Sequence, residues 1–221
     1  MKKCVIGILP TSNYMVTDDT FKDTYRFGNN YIKKIVENGG VPLLIPYNDE
    51  KVIKESLEMC DGLLLPGGTR IRPVDFEVID YFYKNKKPIL GICMGMQSLA
   101  MYSLHNKRII KGIDNGVDHW PVIVLRNNND VLIHKDYIKK NSKLYDIFGL
   151  EEMMVNSLHH NTITEVGNEF DISIKSEDDL IEGIEYNKDD RFIIGVQFHP
   201  EILPQYNKIF ERFIKECQKR K

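Results

Sequence analysis

Cys93 stands between two glycines in Pro88-Ile89-Leu90-Gly91-Ile92-Cys93-Met94-Gly95-Met96-Gln97. A small residue two before and two after a thiol is the spacing of a sharp strand-to-helix elbow that presents a nucleophile. The requirement is steric: strand and helix approach closely only where side chains are absent. The turn also puts the sulfur at the amino end of a helix, where the dipole favours a thiolate. The Met94 N–H then points at any oxyanion that develops beside the sulfur. A buried structural cysteine in a glycine-bounded turn has the same local spacing, so the elbow needs partners elsewhere in the chain. Pro66-Gly67-Gly68 leaves backbone N–H groups uncovered, as a second oxyanion donor requires. Gly195-Val196-Gln197-Phe198-His199-Pro200-Glu201 brings an imidazole to the end of an apolar run. Pro200 stops that run, and Glu201 follows close enough to orient the ring through a carboxylate–imidazole hydrogen bond.

These residues need elements to carry them. Lys3–Leu9, Val41–Ile45, Asp61–Leu65 and Pro88–Ile92 are continuous apolar runs, the pattern of buried parallel strands. Between and after them, Tyr25–Glu37, Asp49–Met59, Pro73–Asn85 and Met94–His105 read as helices, with Asp49 as an N-cap and Gly39-Gly40 as a stop. Four strand–helix units in series predict a flavodoxin-like α/β fold: a mostly parallel sheet with helices on both faces. Ligands of such sheets bind beyond the carboxyl ends of the strands. Gly67-Gly68 and Cys93 fall at two such ends. In the second half, Val117–Leu125, Val131–His134, Met153–Ser157, Phe170–Lys175, Ile181–Tyr186 and Phe192–Phe198 read as short strands, so additional short antiparallel strands are expected in this half. Turn signals such as Asn127-Asn128-Asn129-Asp130 join them, and Pro204–Lys219 closes the chain as an amphipathic helix.

The whole chain narrows the alternatives. Its 221 residues carry 42% hydrophobic and 28% charged side chains, which suits one globular domain spanning 1–221. A net charge of −2 gives no reason to expect nucleic acid as a partner. The basic end, Lys215 to Lys221, reads as a solvated helix tail. No apolar stretch approaches the roughly 20 residues of a membrane helix, and the start reads as a strand rather than a signal peptide. Cys4, Cys60, Cys93 and Cys217 form no C-x-x-C pair and no metal spacing, so reduced thiols in a cytoplasmic protein are expected.

With these segments in view, the sequence resembles a known family. Gly-Ile-Cys-Met-Gly-Met-Gln at 91–97 and Val-Gln-Phe-His-Pro-Glu at 196–201 resemble the two signatures of class I, triad-type glutamine amidotransferases. Pro66-Gly67-Gly68 matches their oxyanion loop. Val155-Asn156-Ser157-Leu158-His159-His160-Asn161 resembles a motif of one branch, the γ-glutamyl-γ-aminobutyrate hydrolase-like proteins of the peptidase C26 group. The opening Ile6-Gly7-Ile8 and the stretch from Tyr31 to Pro46 also fit that branch. The resemblance implies Cys93, His199 and Glu201 as the triad. It implies Gly68 and Met94 as oxyanion donors, with Gly67 and Gln97 beside the glutamyl group. His159, His160 and Asn161 would line its pocket, the alternative for the two histidines being a polar loop. It implies a small-molecule γ-glutamyl substrate and neither a metal nor an organic cofactor. The implied chemistry is thiolate attack on a γ-carbonyl, protonation of the leaving amine by His199, and hydrolysis of a γ-glutamyl thioester.

Two departures bear on the leaving amine. The branch usually carries a long loop after its Gly-Gly, whereas here Thr69-Arg70-Ile71-Arg72 leads directly to a helix at Pro73. Met94 stands where the branch commonly has arginine. γ-Aminobutyrate as the leaving group is therefore in doubt, and Arg70 and Arg72 would either meet an anionic one or lie exposed. A stand-alone hydrolase is the expectation. The alternative is a glutaminase component that supplies ammonia to a separate synthase partner. Family members are often dimers, so the resemblance implies a homodimer as one form of this chain.

Overall fold

The structure, a computed structural model, describes residues 3–11, 25–47, 49–113, 119, 134–188 and 190–219. The first strand is β1 (Val5–Ile8), and each of the first four strands is followed by a helix. These are α1 (Asn29–Glu37), β2 (Val41–Leu44), α2 (Glu50–Met59), β3 (Gly62–Leu65), α3 (Pro73–Lys84), β4 (Ile89–Ile92) and α4 (Met94–Ser103). Next come β5 (Ile110–Gly112), β6 (His134–Ile138), α5 (Lys143–Phe148), β7 (Glu152–Val155), β8 (Asn161–Ile163), β9 (Phe170–Ser176), β10 (Ile181–Tyr186) and β11 (Ile193–Val196). Two short 3₁₀ turns, Pro200–Ile202 and Pro204–Tyr206, lead to α6 (Lys208–Gln218).

Nine strands form one sheet in the order β2-β1-β3-β4-β11-β10-β9-β6-β7. The pairs from β2 to β11 are parallel, and those from β11 to β7 are antiparallel. The parallel part has the flavodoxin-like order 2-1-3-4-5, with β11 supplying the fifth strand. β5 and β8 pair separately, antiparallel.

Strand alternation builds the two layers of core. Ile6, Ile8, Leu64, Leu90, Ile92, Ile194 and Val196 face one side, where Tyr31 and Ile35 of α1 and Phe210 and Phe213 of α6 pack. Leu63, Leu65, Ile89 and Ile193 face the other, against Leu57 of α2, Val78 and Phe82 of α3, and Met96 and Leu99 of α4. Successive side chains of a strand point to opposite faces, so a continuously apolar strand serves both cores. The Asp49 side chain caps α2 by accepting the Val52 N–H at 2.9 Å. Pro42 is tolerated in β2 because that strand lies at the edge.

Several boundaries differ from the sequence reading. α1 begins at Asn29 rather than Tyr25, and α6 at Lys208 rather than Pro204, where two prolines tighten the chain into 3₁₀ turns. β6 runs over His134–Ile138, beyond the expected Val131–His134, and α5, β5 and β8 were not anticipated. The expected strand Val117–Leu125 (His119 apart), the turn at 127–130 and the residues 131–133 lie outside the described residues.

Candidate active site

At the carboxyl ends of β3, β4 and β11 the chain makes three abrupt turns side by side. The middle one holds Cys93, the N-cap of α4, with φ 52° and ψ −110°. A positive φ with that ψ is a strained conformation for a residue bearing a Cβ. Its neighbours have no room for side chains. A Cβ on Gly95 would lie 2.2 Å from the Leu65 carbonyl oxygen, and one on Gly91 would lie 2.7 Å from the Gly95 backbone. The elbow therefore forms because strand, helix and the end of β3 press together where only hydrogen fits. The first seven of the ten residues of α4, Met94 to Ala100, are buried all round, which fixes its amino end under the sulfur.

His199 follows β11 and Glu201 lies in the 3₁₀ turn after it. His199 Nδ1 is 2.7 Å from Glu201 Oε1. A carboxylate only accepts, so Nδ1 carries the proton. Nε2 is buried without a hydrogen-bond partner among the described residues, and Cys93 acts on the ring by its charge. Burial alone would push the imidazole pKa down. The charges of Glu201 and Cys93 more than offset this and hold it well above the usual histidine range. The backbone of His199 is gripped on both sides by one side chain: Asn156 Oδ1 accepts its N–H at 2.8 Å and Asn156 Nδ2 donates to its carbonyl at 3.0 Å.

The third turn is Pro66-Gly67-Gly68. A Cβ on Gly67 would lie 2.8 Å from His199 Cε1 and 3.4 Å from Cys93 Cβ, so the loop lies against both. The Gly67 N–H donates to the Tyr31 hydroxyl at 3.0 Å. Burial, then the charges of Glu201 and Cys93, raises the Tyr31 phenol well above its ordinary value, so it stays a neutral hydroxyl.

A cavity of about 390 Å³ opens beside the sulfur. Gly68, Cys93, Met94, Gln97, His159, His160 and Asn161 line it, together with Ile71, Met101, Arg108 and Leu158. Gly67 is buried beneath the loop, its amide committed to Tyr31. Gln97 is held in place by donating to Gln197 Oε1 at 2.9 Å and to the Asn161 carbonyl at 3.2 Å. Of the loop arginines, Arg72 is engaged elsewhere. Its Nη2 donates to the Pro10 carbonyl at 2.8 Å, the Tyr47 hydroxyl at 2.6 Å and Asp75 at 3.2 Å, and its guanidinium stacks on the Tyr47 ring. The arginine at the cavity is Arg108, exposed at the rim just before β5. Tyr31, Asn156, Gln197 and Arg108 thus join the site without having been assigned roles in it from sequence. Asn156 and Gln197 lie inside the two motif segments, which was the available signal. Tyr31 opens the stretch to Pro46 that also fits the branch, whereas Arg108 lies in no motif.

Chemically, the arrangement joins a strained thiol at a helix amino end, an imidazole charged and oriented by a carboxylate, and a glycine-rich turn packed against both. Such a set can attack a carbonyl and return a proton to its leaving group.

The peptidase C26 family model matches residues 4–78 and 74–201. A glutamine amidotransferase-like protein of Rickettsia prowazekii is 29% identical over 263 residues, covering 91% of this chain and 92% of its own. A glutamine amidotransferase-named protein of Schizosaccharomyces pombe is 33% identical over 220 residues, covering 85% and 82%. The glutaminase domain of a CTPS from Trypanosoma brucei, solved with bound acivicin, shares the fold at a TM-score of 0.67 and 15% identity, covering 98% of this chain and 94% of that one.

Proposed function

Since the chain belongs to the peptidase C26 family, we propose that it hydrolyses γ-glutamyl amide bonds through a γ-glutamyl thioester on Cys93. One observation carries this reading. His199 bears a proton toward Glu201 at 2.7 Å and packs, with the Cys93 strained at a strand-to-helix elbow, against Gly67, where the charge of Cys93 acts on its ring. In the proposed cycle the thiolate attacks the γ-carbonyl. The Gly68 and Met94 amides receive the oxyanion, and the His199 imidazolium gives its proton to the departing amine. Water then attacks the thioester with His199 as base, and glutamate leaves. Gln97, His159, His160 and Asn161 form the wall for the glutamyl group, and Arg108 at the rim is placed for a substrate carboxylate.

The test is a panel of γ-glutamyl amides, glutamine included, with glutamate release as the readout. The purified chain is expected to turn over at least one without a partner, and Cys93→Ala to lower that rate by about 10⁴-fold or more with the fold intact. A Cys93→Ala variant as active as the parent sinks the reading. A parent that is silent alone but releases glutamate with a synthase present replaces the stand-alone hydrolase with the ammonia-supplying alternative.

A further inference from the structure

Running back from His159 in the cavity wall is a cluster of buried ionisable groups that takes no part in the proposed chemical steps. Glu182 on β10 is fully buried, and neither of its carboxylate oxygens has a hydrogen-bond donor among the described residues. A buried carboxylate without a donor or a cation is costly. Two imidazoles turn a nitrogen towards it: His159 Nε2 is 3.4 Å and His119 Nδ1 4.0 Å from Glu182 Oε1, and the two nitrogens are 3.2 Å apart.

The acceptors at the outer nitrogens fix the tautomer of each neutral ring. His159 Nδ1 lies 3.1 Å from the Asn161 carbonyl, which can only accept, so the neutral ring has its lone pair on Nε2. His119 Nε2 lies 3.2 Å from Asp178 Oδ2, which leaves its lone pair on Nδ1, where the Ser157 hydroxyl sits at 3.1 Å. Two lone pairs therefore face each other beside an unpartnered carboxylate oxygen. A tautomer fixed by a carbonyl or carboxylate on the far nitrogen is the usual dress of a metal-ligating histidine. A tetrahedral ion with bonds of about 2.0–2.1 Å separates its ligands by about 3.3–3.4 Å. The three edges here are 3.2, 3.4 and 4.0 Å, so two already fit and the third must shorten by about 0.6 Å to close the set.

We propose that His119, His159 and Glu182 bind one divalent transition-metal ion, zinc by the nature of the donors, with a fourth position for the Ser157 hydroxyl or water. Two histidines and a glutamate are a recurrent zinc set. The ion would tie the segment 156–161, which grips His199 and walls the cavity, to the middle of the sheet. No spacing in the sequence announces such a site, because its ligands come from three separated segments.

The experiment uses the full chain, purified without an immobilised metal. Elemental analysis is expected to find about one equivalent of zinc. Adding zinc to the chelator-stripped chain should raise Tm by roughly 5–10 °C at a hundredfold excess over Kd. Because a free thiol beside an imidazole also attracts zinc, both measurements are repeated with Cys93→Ala, which should keep the ion. Glu182→Gln and His119→Gln should lose it and the Tm response, the second serving where the first does not fold. A stripped parent whose Tm ignores zinc, or an ion lost with Cys93→Ala and kept by Glu182→Gln, overturns the proposal.

Discussion

At the scale of single residues, the candidate nucleophile is set apart from the other thiols by environment rather than by exposure alone. All four cysteines are buried. Cys60 donates to the Ser56 carbonyl at 3.2 Å, and burial pushes its thiol up to about 12. Cys4 and Cys217 are fully enclosed in the core. Only Cys93 combines a helix amino end, an imidazole and a cavity. A glutamine-analogue electrophile is therefore expected to label Cys93 first. Mass spectrometry finding Cys4, Cys60 or Cys217 modified earlier would count against the elbow as the reactive centre. Arg108 yields a different kind of prediction. It stands at the rim, away from the sulfur's immediate neighbours, so it should bind substrate and transition state alike. Arg108→Ala is expected to raise KM by about tenfold and leave kcat within about twofold. A fall in kcat at unchanged KM would instead place Arg108 at the reacting atoms. Arg72 had suited that role from sequence, but its donors are taken up by Pro10, Tyr47 and Asp75. A residue's partners across the fold are invisible to its neighbours in the chain.

At the scale of elements, the site depends on how tightly α4 meets the ends of β3 and β4. A methyl group on Gly95 would strike the Leu65 backbone, which cannot yield as a flexible side chain would. Gly95→Ala is expected to cost ~3 kcal/mol or more, the upper range for overpacking, and to lower Tm by about 6–12 °C. A thermal scan with a change under about 2 °C would show that α4 can move off the sheet. The elements that sequence read best are the continuously apolar ones: β3 and β4 are buried at every position. It read β6 badly, for a physical reason. The inward positions of His134–Ile138 hold His134 and Asp136, both fully buried. A strand whose buried face is polar shows no hydrophobic alternation to detect. The same two residues stand beside Glu182 in the polar cluster, so the pattern failed where the fold buries ionisable groups.

At the scale of the whole molecule, the charge held on His199 ties stability to pH. Its folded pKa is raised, so the native state keeps a proton that the unfolded chain gives up near pH 6.5. The stabilisation is fully present below that value and is lost as pH rises through the folded pKa. Between about pH 6.5 and about pH 8, Tm of the parent should fall with a steeper slope than that of Glu201→Gln, which lacks the charge that holds the proton. Equal slopes in parallel thermal scans would mean that Glu201 does not raise the imidazole. What the sequence by itself determined is the part written in local pattern: four strand–helix units, hence the parallel sheet and its carboxyl-end cleft, and the glycine spacing that forces an elbow at Cys93. Local pattern suffices there because hydrophobic period and missing side chains act within a few residues of the chain. Tertiary structure alone decided which groups meet across it. It brought Tyr31 onto the Gly67 amide, Asn156 around His199, Arg108 to the rim, and His119, His159 and Glu182 into one buried knot. Those contacts join segments tens of residues apart, and each is fixed by sheet order and burial, which no spacing along the chain encodes.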